Sequence, residues 1–283
     1  MNKALLVGIN KYPGCPLAGC VNDVTDMADH LVRRCGFREQ EIRLICDGRA
    51  TTAAILERLP WLVSGVRAGD RIVFHYSGHG AQAPTRNIQG EVDGLDEVIC
   101  PVDFEWTDAH MIRDKDFAGL FAGVAVGVEF VWISDSCHSG DLERNVPLTA
   151  CASRTAPVAS NPCHTVARRM PAPGDIAWRI RTAEVEELTG PGRFPKSAAT
   201  LNVALLAACR SDQTAADAVF NGRPNGAFTR ALLDALDGPL GGKPLTAVME
   251  GVAQALARGG YDQAPQIEGS EVIAGRPFLA TTG

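Results

Sequence analysis

Continuous apolar runs alternate along the chain with segments of helical periodicity. Runs that are apolar on both faces predict buried strands of a parallel sheet at 3–9, 70–78, 128–135 and 201–209. A shorter strand is predicted at 41–46 and a closing strand within 266–280. Apolar residues at helical spacing predict helices at 22–35, from 51 to about 63, 225–236 and 245–257. This alternation indicates an α/β fold with one mostly parallel sheet.

The length of 283 residues suits one large domain or two small ones. There is neither an internal repeat nor a second independent core, so we expect a single domain over 1–283. Its middle segment, 141–200, holds seven of the seventeen prolines and has little periodicity apart from a helical pattern near 176–188. We therefore divide the domain into 1–140, a mobile insert at 141–200, and 201–283.

Charge and cysteine content narrow the functional classes. A formal net charge of −6 argues against a non-specific nucleic-acid binder. No stretch approaches the roughly 18 apolar residues of a membrane helix, and the apolar start is too short for a secretory signal. The nine cysteines are scattered without a CxxC pair. We therefore expect a cytoplasmic, reducing environment in which the cysteines are free thiols.

Two predicted strands end on residues that carry chemistry. FHYSGHG (74–80) places His79 between glycines, and FVWISDSCHSG (130–140) presents Cys137. Functional groups of open α/β sheets gather at the carboxyl ends of the strands, so the two side chains are expected to share one cleft. An imidazole there can activate a thiol, and the amides of Gly80 and Cys137 are candidates for an oxyanion hole. The pattern predicts peptide-bond hydrolysis through a thioester.

Several motifs resemble one protein family. YSGHG (76–80) and DSCHSG (135–140) resemble the two catalytic motifs of metacaspases and of their bacterial relatives, the orthocaspases. Further segments resemble the same family in the same order: ALLVGINKYPG, LAGCVNDV (17–24), DGLDEVICPVD (93–103), ACRSDQTAAD (208–217) and QAPQIEGSE (263–271). The resemblance implies a caspase–haemoglobinase fold, with a mostly parallel sheet of about six strands between helices, and a monomer.

The resemblance also implies cleavage after arginine or lysine, with an acidic pocket for that side chain. The pocket would be lined by Cys20, Asp23, Ser77 and Asp135. Two carboxylates would pair with a guanidinium and repel an acidic substrate, which favours arginine over lysine. The alternative is that Asp23 only caps its helix and Asp135 only hydrogen-bonds a loop.

Many metacaspases need calcium, which clustered aspartates bind. The candidate ligands here are Asp93, Asp96, Glu97, Asp114 and Asp116, and such hard oxygen donors suit calcium. Lys115 and Arg144, however, lie where calcium-dependent members tend to carry acids. A solvated acidic loop without metal therefore remains the alternative, and the hydrolysis itself requires no cofactor.

The insert is rich in basic residues, so a peptidase of this specificity would find targets within its own chain. The candidate processing sites are Arg144, Arg154, Arg168, Arg169, Arg179, Arg181 and Arg193. We hypothesise that cleavage here, in cis or by an upstream activator, opens the site. The alternative is a surface insertion without a regulatory role.

Two other functional readings stay open. A catalytically silent regulator of the same fold would bind basic peptides without cutting them. A thiol amidase would act on small molecules instead. For a peptidase, we expect protein or peptide substrates with basic residues and a role in cell death, stress response or defence.

Overall fold

The computed structural model describes residues 1–85, 95–137, 165–184, 202–210 and 213–279. Its strands are β1 (Asn2–Gly8), β2 (Ile42–Cys46), β3 (Arg71–Ser77), β4 (Gly80–Pro84), β5 (Leu95–Ile99), β6 (Ile112–Arg113), β7 (Glu129–Asp135), β8 (Val166–Ala167), β9 (Ala204–Ala207), β10 (Ala216–Phe220), β11 (Arg223–Gly226) and β12 (Gln266–Gly269). Its helices are α1 (Cys20–Cys35), α2 (Thr52–Val63), α3 (Asp114–Phe121), α4 (Gly174–Glu184), α5 (Ala227–Asp237), α6 (Leu245–Arg258) and α7 (Glu271–Ala274).

A six-stranded sheet in the order β12-β9-β7-β3-β1-β2 forms the centre of the molecule. All its neighbouring strands run parallel except β12, which pairs antiparallel with β9. The predicted α/β class, with a mostly parallel sheet of about six strands, is therefore confirmed. Two three-stranded sheets, β4-β5-β6 and β11-β10-β8, lie outside this sheet.

Both faces of the central sheet are buried, which explains the uninterrupted apolar runs. Successive residues point to opposite faces, so Leu5 and Phe74 join one hydrophobic core while Leu6 and Val73 join the other. The first core includes residues of α2 and α3, and the second includes residues of α1, α5 and α6. The sheet thus holds its strand ends rigidly.

Helix ends follow local signals in some places and distant contacts in others. The Thr51 side chain accepts the Ala54 N–H and caps α2, and Gly36 ends α1 with a left-handed φ of 69°. Helix α1 begins at Cys20 rather than at the predicted residue 22. The reason is that the Asn10 side-chain oxygen, in the preceding loop, accepts the Cys20 N–H at 2.8 Å.

The structure departs from the sequence prediction in the shorter elements. The β4-β5-β6 sheet, α3 and the β10–β11 hairpin were not predicted. The closing strand covers only Gln266–Gly269, because the Ser270 side chain then caps α7. Part of the predicted insert is structured, since β8 pairs antiparallel with β10 and α4 falls on the predicted helical pattern.

Two further observations bear on the expected environment. Within the described ranges, no helix combines the length and the apolarity that a membrane crossing requires. Six described cysteines are free thiols, namely Cys20, Cys35, Cys46, Cys100, Cys137 and Cys209. Cys15, in contrast, is disulfide-bonded, so the expectation of free thiols throughout is wrong at this position.

Candidate active site

The carboxyl ends of β3 and β7 lie side by side. Ser77 pairs with Asp135 in the parallel ladder, and the Gly78 N–H donates to the Asp135 carbonyl at 3.3 Å. His79 and Cys137 each follow two residues after one of these paired positions, and both are buried. The predicted convergence of the two strand ends is therefore present in the fold.

Hydrogen bonding selects one tautomer of the His79 ring. Nε2 lies 2.7 Å from the Cys15 carbonyl oxygen, which can only accept, so Nε2 carries the proton of the neutral ring. Nδ1 then has the free lone pair, and it makes no hydrogen bond within the described residues. Burial lowers the pKa of His79 to about 4. The ring is therefore neutral near pH 7 and able to accept a proton at Nδ1.

Two phenols hold the backbone of His79. The His79 N–H donates to the Tyr12 hydroxyl at 3.0 Å, and the Tyr76 hydroxyl donates to the His79 carbonyl at 2.6 Å. The Tyr12 ring also packs against the imidazole, with 4.5 Å between ring centroids. A Cβ on Gly78 would lie 2.4 Å from the Tyr12 hydroxyl. Glycine before the histidine thus makes room for the phenols.

The Cys137 thiol contacts a backbone amide from another segment. The Ala215 N–H donates to the sulfur at 2.7 Å. The thiol in turn donates to the Ala215 carbonyl at 3.4 Å. The residue just before β10 therefore helps to define the environment of the candidate nucleophile.

The backbone of Arg168 crosses the site between these groups. Its carbonyl oxygen accepts the Gly80 N–H at 3.1 Å and the Cys137 N–H at 3.2 Å. Its own N–H donates to the Ala215 carbonyl at 3.0 Å. The two amides predicted as an oxyanion hole therefore converge on one peptide carbonyl. Donors so placed can stabilise negative charge on that oxygen when a nucleophile attacks the carbon.

The Arg168 side chain fills a fully buried pocket. Nη2 contacts Asp23 Oδ2 at 2.7 Å and Asp217 Oδ1 at 2.8 Å. Nη1 contacts Ser77 Oγ at 2.7 Å and Asp135 Oδ1 at 3.2 Å. Burial alone would lower the pKa of Arg168, but the surrounding acids raise it well above its usual value. The guanidinium thus bridges three carboxylates and a hydroxyl.

Backbone and hydroxyl donors hold each carboxylate independently of the guanidinium. Asp23 accepts the Gly226 N–H at 2.9 Å, and Asp135 accepts the Thr229 N–H at 3.0 Å and its hydroxyl at 2.7 Å. Asp217 accepts the Ala18 N–H at 2.7 Å. Burial raises the pKa of Asp135 to about 6. The acidic pocket is therefore built by the fold, with its charges only partly compensated by one arginine.

The four predicted pocket residues fall in this region. Asp23, Ser77 and Asp135 contact the guanidinium, and Cys20 is buried close enough for Arg168 to influence the pKa of its thiol. Asp23 does not cap its own helix through its side chain, whereas Asp135 also holds the first turn of α5. Asp135 thus contacts the guanidinium in the pocket and also accepts a hydrogen bond from a neighbouring segment.

Sequence reasoning missed Asp217. It lies in β10, more than 190 residues from Asp23 along the chain, in a short segment without a motif of its own. The segment ACRSDQTAAD that carries the family resemblance ends on this residue. A charged residue inside a strand with apolar neighbours was the available signal.

The acidic calcium candidates do not form a metal site in the described part of the chain. Asp96 is already paired with Arg113 Nη1 at 2.6 Å and with Lys115 Nζ at 2.5 Å. Asp114 and Asp116 accept backbone N–H groups at the start of α3, and Glu97 lies on β5. Within the part of the chain that the structure describes, no three His, Cys, Asp or Glu side chains lie close enough together to hold a metal ion. Asp93 lies outside that part. Asp96 thus contacts two cationic side chains in this arrangement.

The seven predicted processing sites lie in three different places. Arg168 occupies the site and Arg169 follows it, while Arg179 and Arg181 belong to α4. Arg144, Arg154 and Arg193 lie outside the described residues.

Comparison with known proteins agrees with this geometry. A family model described as metacaspase, peptidase C14 domain, matches residues 2–144. The chain belongs to the metacaspase family. Metacaspase-1 of Schizosaccharomyces pombe is 30% identical over 297 residues, which cover 96% of this metacaspase and 68% of the relative. Metacaspase-1 of Botryotinia fuckeliana is 32% identical over 263 residues, covering 83% and 60%.

Other relatives are longer than this metacaspase. Metacaspase-1 of Eremothecium gossypii is 39% identical over 146 residues, and the match covers 49% of this chain but 32% of that relative. The matched part of the chain thus spans about a third of the length of such relatives.

Solved structures share the fold. The crystal structure of protein GSU0716 from Geobacter sulfurreducens superposes with a TM-score of 0.66 at 23% identity, covering 98% of both chains. Caspase-1 from Spodoptera frugiperda superposes with a TM-score of 0.56 at 9% identity, covering 95% of this metacaspase and 86% of the caspase. This metacaspase therefore has the caspase-like fold that its motifs implied.

Proposed function

We propose that this metacaspase is a cysteine endopeptidase that cleaves peptide bonds after arginine and, less efficiently, after lysine. One observation carries the proposal. The guanidinium of Arg168 lies among three carboxylates while its carbonyl oxygen accepts hydrogen bonds from Gly80 and Cys137. A peptide held in this way has its carbonyl activated and its basic side chain recognised at the same time.

The chemistry follows from the groups around that carbonyl. Nδ1 of His79 takes the proton of Cys137, and the sulfur attacks the carbonyl carbon. The oxyanion of the tetrahedral intermediate accepts the N–H groups of Gly80 and Cys137. His79 returns the proton to the leaving amine, which leaves a thioester. Water, deprotonated by the same nitrogen, then hydrolyses the thioester.

Pocket geometry supports arginine over lysine and excludes aspartate. The two terminal nitrogens of the Arg168 guanidinium share the carboxylates between them, since Nη2 contacts Asp23 and Asp217 and Nη1 contacts Asp135. A single ammonium nitrogen has fewer donors for the same set of acceptors. An acidic side chain would meet Asp23, Asp135 and Asp217 without a cation, which is strongly unfavourable in a buried site.

The position of Arg168 supports self-processing at the bond between Arg168 and Arg169. The uncut segment fills the acidic pocket and covers the thiol, so it excludes other substrates. Cleavage after Arg168 would begin to release the segment. We accordingly propose that the uncut chain is a zymogen, activated in cis or by an upstream peptidase.

We further propose that the peptidase activity does not require calcium. Arg113 and Lys115 neutralise Asp96 from both oxygens, so fixed cations already supply the positive charge at this acidic loop. We also propose a cytoplasmic monomer whose substrates are proteins with exposed basic residues.

Incubation of the purified protein tests the proposal. Wild type, Cys137→Ala and Arg168→Gln are incubated with calcium or with a chelator, and new termini are mapped by mass spectrometry. We expect a new N-terminus at Arg169 in the wild type only, at equal rates in both buffers. Fluorogenic peptides ending in Arg, Lys and Asp should be cleaved in that order of decreasing rate.

Other results would count against it. Identical nicking of wild type and Cys137→Ala would remove self-processing from the proposal. An absence of turnover with every peptide, by both intact and Arg169-cleaved protein, would favour a silent regulator that binds basic peptides. Turnover of small amides without peptide turnover would indicate the amidase.

A further inference from the structure

We propose that the site also recognises the second residue after the cleaved bond, through its backbone N–H and through an apolar side chain. The inference rests on the proposed function, because it takes the bond between Arg168 and Arg169 as the one that is cut. It adds a binding subsite for the leaving side of a peptide substrate. The residue that forms the polar part of this subsite is Gly80.

Gly80 brackets the candidate bond from both sides. Its N–H donates to the Arg168 carbonyl at 3.1 Å, before the bond. Its own carbonyl accepts the Met170 N–H at 2.9 Å, after the bond. Arg169 consequently forms a parallel bridge with Gly80. The peptide is aligned as a short strand along the start of β4, with the bond to be cut in its middle.

This bracket has a chemical consequence. The leaving group is the amine of Arg169, and His79 must deliver a proton to that nitrogen. A hydrogen bond to the next N–H along the chain fixes the position and the orientation of the leaving nitrogen. Positioning of this kind accelerates a reaction because the translational and rotational entropy is lost on binding, so that less entropy is lost in reaching the transition state.

The side chain after this N–H faces an apolar environment. Met170 is half-buried and packs against the hydrophobic core that contains Ala81, Ala83 and Val98 of the adjoining sheet. A charged side chain at this place would lose hydration without a partner. The subsite therefore accepts methionine, leucine and similar residues, and rejects aspartate.

Met170 is the last residue of this segment whose backbone N–H can take part in the proposed recognition. The next residue, Pro171, has no N–H, and after Pro173 the chain forms α4 with Ile180 buried. A proline is thus already tolerated one position beyond the hydrogen-bonded residue. This contrast provides a control of equal composition, because moving the proline by one position removes the N–H that Gly80 binds, together with the methionine side chain at that position, whose contribution the Leu and Asp peptides test separately.

The test uses wild-type protein after self-processing and peptides based on Val-Ala-Arg-Arg-Met-Pro-Ala. The partner peptide Val-Ala-Arg-Arg-Pro-Met-Ala has the same composition with the last proline and methionine exchanged. Two more peptides carry Leu or Asp in place of Met. Mass spectrometry quantifies cleavage after the first arginine. We expect the exchanged and Asp peptides to be cut at least about tenfold more slowly, and the Leu peptide within about twofold.

A second arm uses the chain itself. Met170→Pro should slow self-cleavage after Arg168 by a similar factor, whereas Met170→Leu should leave it unchanged. Equal rates for the parent and exchanged peptides would overturn the inference while leaving the arginine-directed activity in place. A parent peptide that is not cut, together with no turnover of fluorogenic arginine peptides, would remove the proposed function and this inference with it.

Discussion

At the scale of single residues, Tyr12 contacts the candidate base through both its ring and its hydroxyl. Its ring packs on the His79 imidazole, and its hydroxyl accepts the His79 N–H and donates to the Cys100 carbonyl at 2.9 Å. The same hydroxyl lies 3.1 Å from that of Tyr76. These contacts assign Tyr12 the role of positioning His79.

Replacement of Tyr12 by phenylalanine distinguishes the contribution of the hydroxyl from that of the ring. The ring contact stays, but the His79 N–H loses its acceptor, which corresponds to about 1 kcal/mol for a buried hydrogen bond. We expect kcat for an arginine peptide to fall about fivefold, with KM within about twofold of wild type. Steady-state kinetics measures both constants. Tyr261→Phe is the control, because the Tyr261 ring packs against Phe220 at the end of β10. An unchanged kcat in Tyr12→Phe would contradict the assigned role.

At the scale of elements, the junction of β11 and α5 closes the acidic pocket. Gly226 is the last residue of β11, and its N–H binds Asp23. A Cβ at this position would lie 2.2 Å from Asp135 Oδ2 and 2.6 Å from Arg168 Nη1. The junction thus requires a residue without a side chain, so that two carboxylates and a guanidinium can approach the backbone.

Gly226→Ala should therefore narrow the pocket and selectively weaken binding of arginine. We expect KM for arginine peptides to rise at least about tenfold and self-cleavage after Arg168 to slow, because the methyl group competes with the guanidinium for space. Gly119→Ala in α3 is the matched control, since a Cβ there meets no other atom within 4 Å. Wild-type KM in Gly226→Ala, with unchanged circular dichroism, would refute the assignment.

The long strands and helices could be predicted from the sequence, whereas the short strands outside the central sheet could not. Long apolar runs and amphipathic helices, such as β3 and α6, were predicted because burial on one or both faces leaves a periodic pattern. The β10–β11 hairpin and the β4-β5-β6 sheet were missed because their short strands mix polar with apolar residues. Their conformation depends on pairing with distant segments, as when Asp217 of β10 pairs with Val166 of β8.

At the scale of the whole molecule, Arg168 links parts of the chain that are far apart in sequence. Its guanidinium joins Asp23 of α1, Asp135 of β7 and Asp217 of β10 in one buried ionic cluster. Removing one partner of a buried ion pair costs about 3–5 kcal/mol, because the remaining charges stay uncompensated. The segment that carries Arg168 should therefore contribute to the stability of the fold.

Arg168→Ala in a Cys137→Ala background should destabilise the fold in a pH-dependent way. The pKa of Asp135 is raised to about 6, so its ionisation costs stability as the pH rises through that value. Loss of the guanidinium raises this pKa further, whereas protonation at low pH relieves the repulsion. We expect a loss of about 3–5 kcal/mol at pH 8 and a clearly smaller loss at pH 5.

Urea unfolding at both pH values measures this loss, with Arg230→Ala as the control because Arg230 forms only a surface pair with Asp234. An equal loss at both pH values would show that the carboxylates are not the source of the effect. No loss at either pH would show that the segment does not stabilise the fold.

The sequence by itself determined the α/β class, the main strands and helices, and the candidate pair His79 and Cys137. Each of these follows from a local pattern, either a burial period or a motif within a few residues. Only the tertiary structure decided which of seven basic residues occupies the site, that Asp217 completes the pocket, and that Arg113 and Lys115 neutralise Asp96. Those outcomes depend on distances between segments up to about 200 residues apart, which no local pattern encodes.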